Sequence, residues 1–290
     1  MKNHPPMFDP QALAAKYGPW AVISGGTEGT GESFARLLAQ AGINVMMVAR
    51  RLEVMEKLAL DLQENYGIET RTLVQDLMHP DAAQKILEAS ADLDVGLYIS
   101  NAGVDGGPKR FLNQPAERWV RMINMNVINV AVAAHGFGNR LRQRRRGGLL
   151  IMASGAALVG NPYLAMYSST KAFDLALAEA LCGELSEVGV DVLGVIAPTM
   201  TTPLVMKGVE NGAISFDAVF ECDVVARQAL AQLGHAPTIM FGTSSDGRHS
   251  DEVVEERYHH LQRVAAAGSG ARFVAHRDGT HANEGAPPTN

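Results

Sequence analysis

Seven short apolar, β-branched runs recur along the chain, most of them separated by longer stretches of helical periodicity, and this alternation limits the fold more than any other feature. The runs are Trp20–Ser24, Ile43–Ala49, Thr70–Gln75, Val95–Ser100, Gly148–Ala153, Val190–Ala197 and Thr238–Phe241. Their near-continuous hydrophobicity predicts strands buried on both faces. Between them, Glu32–Ala41, Leu52–Tyr66 and Pro80–Ala91 read as amphipathic helices. Such alternation predicts an α/β fold: a doubly wound, mostly seven-stranded parallel sheet with helices on both faces and right-handed crossovers.

A chain of 290 residues is long enough for one large α/β domain. We expect that domain over 17–267, after an N-terminal extension at 1–16. Within it, 199–220 places Pro203, Gly208 and Gly212 among Leu204, Val205 and Met206, which predicts a lid. Residues 268–290 are rich in Gly, Ala, His and Pro without periodicity, so a disordered tail is expected. The net charge of −6 argues against a nucleic-acid partner. Cys182 and Cys222 supply neither a disulfide framework nor a metal cluster, and a reduced, cytoplasmic setting is expected. His249, His259, His260, His276 and His281 lack metal-binding spacing, so no metal is expected. Met1–Lys16 has no apolar signal-peptide core, and the uncharged stretch Gly147–Pro162 is too short for a bilayer; no membrane span is expected. The basic run Arg140–Arg146 reads as charges solvating a helix end rather than a site for coenzyme A phosphates.

Ser24-Gly25-Gly26-Thr27-Glu28-Gly29-Thr30-Gly31 follows the first predicted strand and opens a helix. In that setting backbone N–H groups and the helix dipole suit the pyrophosphate of a dinucleotide. The second strand ends at Arg50-Arg51. An acidic residue there would bind the ribose hydroxyls of NAD, whereas an arginine suits the 2′-phosphate of NADP. NADP(H) is therefore the preferred cofactor, with Arg50 as phosphate ligand and Arg51 as helper. Glu28 and Glu53 bring opposing charge and keep NAD(H) as the second choice.

Downstream, Tyr167-Ser-Ser-Thr-Lys171 places a phenol and an ammonium one helical turn apart, thirteen positions after Ser154. A neighbouring cation favours a phenolate, so a tyrosine in this setting can exchange a proton with a substrate oxygen. The Ser154 hydroxyl can hydrogen-bond the same oxygen as charge develops on it. Tyr163 lies one turn earlier but has no lysine four residues on.

Taken together, these motifs resemble the short-chain dehydrogenase/reductases, over about Tyr17 to Phe241, which implies a Rossmann-type fold. Gly25, Gly29 and Gly31 match the family's cofactor turn, with Ser24 and Thr30 in place of its threonine and isoleucine, and with Thr27 and Glu28 between. Asp76, followed by Leu77, matches the acid near adenine, and Ser100-Asn101-Ala102-Gly103 matches the Asn-Asn-Ala-Gly element. Asn126 matches the asparagine that holds a proton-relay water, and Ser154, Tyr167 and Lys171 match the remaining catalytic positions. Pro198 matches the family's Pro-Gly, but Thr199 replaces the glycine; Thr202 is the carboxamide contact if the loop is one residue short.

Tyr17-Gly-Pro-Trp-Ala-Val-Ile-Ser-Gly-Gly-Thr-Glu-Gly, Ala49-Arg-Arg-Leu-Glu and Asp94-Val-Gly-Leu-Tyr further resemble the branch of 17β-hydroxysteroid dehydrogenases and very-long-chain 3-oxoacyl-CoA reductases. That resemblance implies NADPH-dependent interconversion of a ketone and a secondary alcohol on an apolar, steroid-like, 3-oxoacyl or aromatic substrate. Lys171 would contact the nicotinamide ribose, and Leu158, Val159, Leu204, Val205 and Met206 would wall the substrate. The helices around Glu117–Leu141 and Tyr163–Val188 resemble those that pair subunits, implying a homodimer or homotetramer. A non-catalytic NADP-binding regulator is the alternative. An epimerase or dehydratase ranks lower, because its glycine turn would need glycine at Glu28.

Overall fold

The computed structural model describes residues 6–103, 107–210, 219–242 and 249–267. Its strands are β1 (Trp20–Ser24), β2 (Asn44–Ala49), β3 (Thr70–Val74), β4 (Val95–Ser100), β5 (Gly147–Met152), β6 (Val190–Ile196) and β7 (Thr238–Met240). They form one parallel sheet in the order β3-β2-β1-β4-β5-β6-β7. The helices are α1 (Pro10–Tyr17), α2 (Thr30–Gln40), α3 (Leu52–Tyr66), α4 (Ala82–Ala89), α5 (Ala116–Ile123), α6 (Asn129–Arg144), α7 (Ala165–Ser186), α8 (Pro203–Glu210), α9 (Cys222–Gln232) and α10 (Ser250–Ala267).

Both faces of the sheet are covered, as the unbroken apolar runs predict. Helices α1, α2, α3 and α9 bury Leu13, Phe34, Leu38, Met55, Leu62 and Val225 against one face. On the other, α4, α6 and α7 bury Ile86, Val130, Phe137 and Ala178. Phe137 stacks on Tyr98 of β4 with ring centroids 4.4 Å apart. Each fully buried aliphatic or aromatic side chain contributes about 1.5–3 kcal/mol relative to exposure, so the two layers fix the sheet between them.

Strand β1 lies between β2 and β4, so the winding reverses at its edge, where open α/β sheets bind ligands. Ser24, the last residue of β1, aligns with Val48 and with Ser100. The segments that follow these strands therefore emerge side by side at the carboxyl edge.

Two features lie beyond the sequence patterns. Helix α1, in the expected N-terminal extension, packs on the core. Asp9 caps α1 by accepting from the N–H groups of Gln11 and Ala12, Pro10 fills the first helical position, and Leu13 and Tyr17 enter the core. The Tyr17 hydroxyl donates to Asp191 of β6 at 2.6 Å and burial, the larger effect, together with that carboxylate pushes its pKa up. The basic run also does more than meet water. Arg140 donates to the carbonyl of Leu87 at 2.6 Å, closing the end of α4; Arg144 donates to the carbonyl of Gly18 and pairs with Asp94. These contacts lie at the amino ends of β1 and β4, away from the carboxyl edge. Of the expected lid, 203–210 is helix α8; residues 211–218, the Leu204 side chain and the expected tail at 268–290 lie outside the described residues.

Candidate active site

The turn after β1 is held open by backbone that only glycine permits. Gly25 has φ +78°, and a Cβ there would stand 3.0 Å from Ala102. At Gly31 a Cβ would stand 1.9 Å from the carbonyl oxygen of Gly25. The turn is stitched to the segment after β4. Asn101 Nδ2 donates to the Gly25 carbonyl at 2.8 Å, and the Ala102 N–H donates to the Ser24 carbonyl at 2.9 Å. No side chain caps the N-terminus of α2, which follows Gly29. That end is therefore free to meet an anion.

A cleft runs along this carboxyl edge. It is lined by Gly25, Thr27, Glu28 and Thr30 of the turn after β1, by Arg50 and Arg51 after β2, and by Gln75 and Leu77 after β3. Asn101, Ala102 and Gly103 after β4, with Met125, Met200, Thr202 and Pro203, complete the lining. Arg51 pairs with Glu28, so the two charges offset each other at the rim. Arg50 is exposed and has no ion-pair partner among the described residues.

Helix α7 carries Tyr167 on its first turn and Lys171 on its second. Tyr167 is half-buried, while Lys171 is buried. The Lys171 ammonium donates to the carbonyl of Met152, the last residue of β5, at 2.7 Å and to Asp174 Oδ2 at 2.9 Å. It lies directly behind Gly103, where a Cβ would stand 2.8 Å from Nζ. Burial alone would lower the Lys171 pKa, but Asp174 and the Tyr167 phenol raise it above its ordinary value, so the side chain is a cation. Ser154 follows β5 in extended conformation, and its hydroxyl accepts from the Ala156 N–H at 3.2 Å. Asn126 sits in a π-helical turn, Asn124–Ile128, between α5 and α6. Such turns displace a side chain from the helical ladder and recur at functional sites. Asn126 Nδ2 donates to the Thr170 hydroxyl at 3.1 Å, and its buried Oδ1 has no protein partner.

The short chain dehydrogenase family model matches residues 19–212. The chain belongs to the short-chain dehydrogenases. Among its relatives, the 7beta-hydroxysteroid dehydrogenase of Collinsella aerofaciens is 30% identical over 254 residues, covering 86% of this chain and 94% of that protein. The very-long-chain 3-oxoacyl-CoA reductase-A of Danio rerio is 35% identical over 164 residues, 56% of this chain and 51% of that protein. A solved structure from work on 7beta-hydroxysteroid dehydrogenase stereoselectivity superposes with a TM-score of 0.76 at 28% identity, covering 89% of this chain and 99% of that one.

In this short-chain dehydrogenase the remaining sequence candidates fall unevenly. Asp76 accepts from the Met78 N–H at 3.0 Å and pairs with Arg121 at 3.5 Å, while its neighbours Gln75 and Leu77 line the cleft. The Thr199 carbonyl accepts from the Phe220 N–H, which ties the segment after Pro198 to the residues before α9. Thr202 stands against the turn, its methyl 3.0 Å from where a Gly29 Cβ would lie. Val159 is exposed, and Leu158 packs against the cluster of Leu175, Met240 and Val253.

Two residues escaped the sequence reading. Asn129 pins the segment after β3 by donating to the carbonyls of Leu77 and His79 and accepting from the Ala83 N–H. Asp174 is the buried partner of Lys171. A lone acid in the apolar stretch after Lys171 is the signal that points to it, because buried carboxylates need partners. Among the described residues, no three His, Cys, Asp or Glu side chains stand together as a metal site, and no helix is long and apolar enough to cross a membrane.

Proposed function

We propose that this short-chain dehydrogenase interconverts a ketone and a secondary alcohol on an apolar, steroid-like, 3-oxoacyl or aromatic substrate, with NADP(H) as cofactor. The carrying observation is the pairing of half-buried Tyr167 with the buried Lys171 ammonium, which lies directly behind Gly103 of the cleft lining. The names of the relatives in the hydroxysteroid and 3-oxoacyl classes support the substrate range. Exposed Val120, Ile128 and Val132 on and between α5 and α6 support self-association through these helices.

The residues fit a dinucleotide phosphate. The Gly31 cradle leaves room only for backbone, the start of α2 is uncapped, and the Arg50 guanidinium, without an ion-pair partner among the described residues, lines the cleft. NADPH, when bound, supplies the hydride. The chain does the rest. Ser154 holds the carbonyl oxygen, Tyr167 donates the proton to it, and Lys171 stabilises the phenolate that remains. Asn126 Oδ1, a buried acceptor without a protein partner, would accept from the water of a proton relay to Lys171.

Reduction of steroid ketones, 3-oxoacyl thioesters and aromatic ketones, followed by loss of NADPH absorbance, tests the reading. Turnover of at least one class is expected. Tight NADPH binding without turnover on any would point to a regulator instead. Arg50→Ser is expected to weaken NADPH binding by about tenfold or more, the worth of one charged hydrogen bond, and to leave NADH binding unchanged. Equal loss for both cofactors in calorimetric titrations would remove Arg50 from phosphate recognition.

A further inference from the structure

Asp174 is a feature that the proton-transfer scheme does not use. It lies on α7, is 1% exposed, and is held 2.9 Å from Lys171 Nζ through Oδ2. Its other oxygen, Oδ1, is buried without a protein partner. A buried ion pair of this kind is poor value for stability, since the desolvation of both charges offsets their attraction. Leu175 and Ala178 on the same helix are packed in apolar surroundings, where an aliphatic residue at 174 would serve the core better.

The geometry instead bears on chemistry. An ammonium has three N–H donors. Two are taken, by the Met152 carbonyl on β5 and by Asp174, so Nζ is fixed against the sheet with one donor left behind Gly103. The carboxylate also keeps Lys171 charged against the burial that would otherwise lower its pKa. Tyr98 on β4 also couples to Asp174, and its burial, the larger effect, pushes its phenol pKa up; the Asn126 segment adds an amide but no charge.

Resting on Tyr167 and Lys171 as the reacting pair, we propose that Asp174 is a positioning residue that clamps Lys171 to β5 and holds it as a cation beside Tyr167. The sign follows from electrostatics. Without the carboxylate, burial, the largest influence on Lys171, disfavours its cation, and a phenolate at Tyr167 loses that support, which moves its ionisation to higher pH. Reduction, which needs the phenol, then persists to higher pH, and oxidation of an alcohol, which needs the phenolate, is lost near neutrality.

The Tyr167 midpoint can be read without turnover, as the phenolate absorbance that the protein shows and its Tyr167→Phe counterpart lacks. Asp174→Asn is expected to shift that midpoint about one pH unit to the alkaline side. Asp174→Glu should restore it. An unchanged or acid-shifted midpoint in Asp174→Asn overturns the proposal, whatever the ketone panel shows, so the two readings fail separately. If circular dichroism shows Asp174→Asn to be misfolded, Asp174→Ser is read against the same two outcomes. With a reducible ketone in hand, the alkaline limb of kcat should move with the midpoint while KM stays in place.

Discussion

Tyr167→Phe is expected to lower kcat for ketone reduction by about 10²–10⁴-fold, the usual worth of a positioned proton donor. The change removes one oxygen from a half-buried side chain whose hydroxyl has no hydrogen-bond partner among the described residues. The fold does not lean on that oxygen, and Tm should move little. Lys171 keeps its bonds to Met152 and Asp174, so the lining at Gly103 is unchanged and NADPH affinity should hold. Tyr163→Phe is the matched control. Tyr163 is exposed and has no lysine one turn on, so its loss should leave kcat near wild type. Steady-state kinetics on both variants, with Tm and cofactor titrations beside them, separates a lost proton donor from a damaged site.

Gly31→Ala is expected to act on the other half of the machinery. The new Cβ would meet the Gly25 carbonyl oxygen at 1.9 Å and Asn101 Nδ2 at 2.8 Å. Backbone cannot rotate away as a flexible side chain can. The turn has to open, and the Asn101–Gly25 hydrogen bond that joins it to the β4 segment is broken or displaced. Overpacking of this kind costs about 1–3 kcal/mol, which lowers Tm by several degrees in a domain of this size. NADPH affinity should fall by more than tenfold, because the cradle itself is displaced. Gly160→Ala, with nothing within 4 Å of its added Cβ, should change neither quantity. Normal NADPH binding by folded Gly31→Ala would remove the turn from the cofactor site.

The sheet was legible because its strands are buried on both faces and read as unbroken apolar runs. Trp20–Ser24 and Leu52–Tyr66 match the observed elements end to end. The glycine turn was legible because its spacing is a steric requirement, visible as the clash at Gly31. Other features depend on contacts far apart in the chain. Helix α1 is short and mixed in character, and its capping signal at Asp9-Pro10 becomes meaningful only once Tyr17 meets Asp191, 174 residues away. The arginine run looked like a solvated face, but long side chains reach carbonyls at Gly18 and Leu87 that no local pattern shows. Asp174 was hidden for the opposite reason. It sits three residues from a motif whose resemblance already accounted for the neighbouring chemistry, although a carboxylate in an apolar helix stretch is costly unless paired.

The central claim is that Tyr167, beside Lys171, protonates a ketone as the cofactor's hydride reaches its carbon. The most direct test supplies NADPH deuterated at the transferring position, with the best ketone of the panel, to the wild-type chain and to Tyr167→Phe. The account predicts one deuterium on the carbinol carbon of the wild-type product and little or no labelled alcohol from the variant. An alcohol formed without deuterium, or equal labelled product from both proteins, would contradict it.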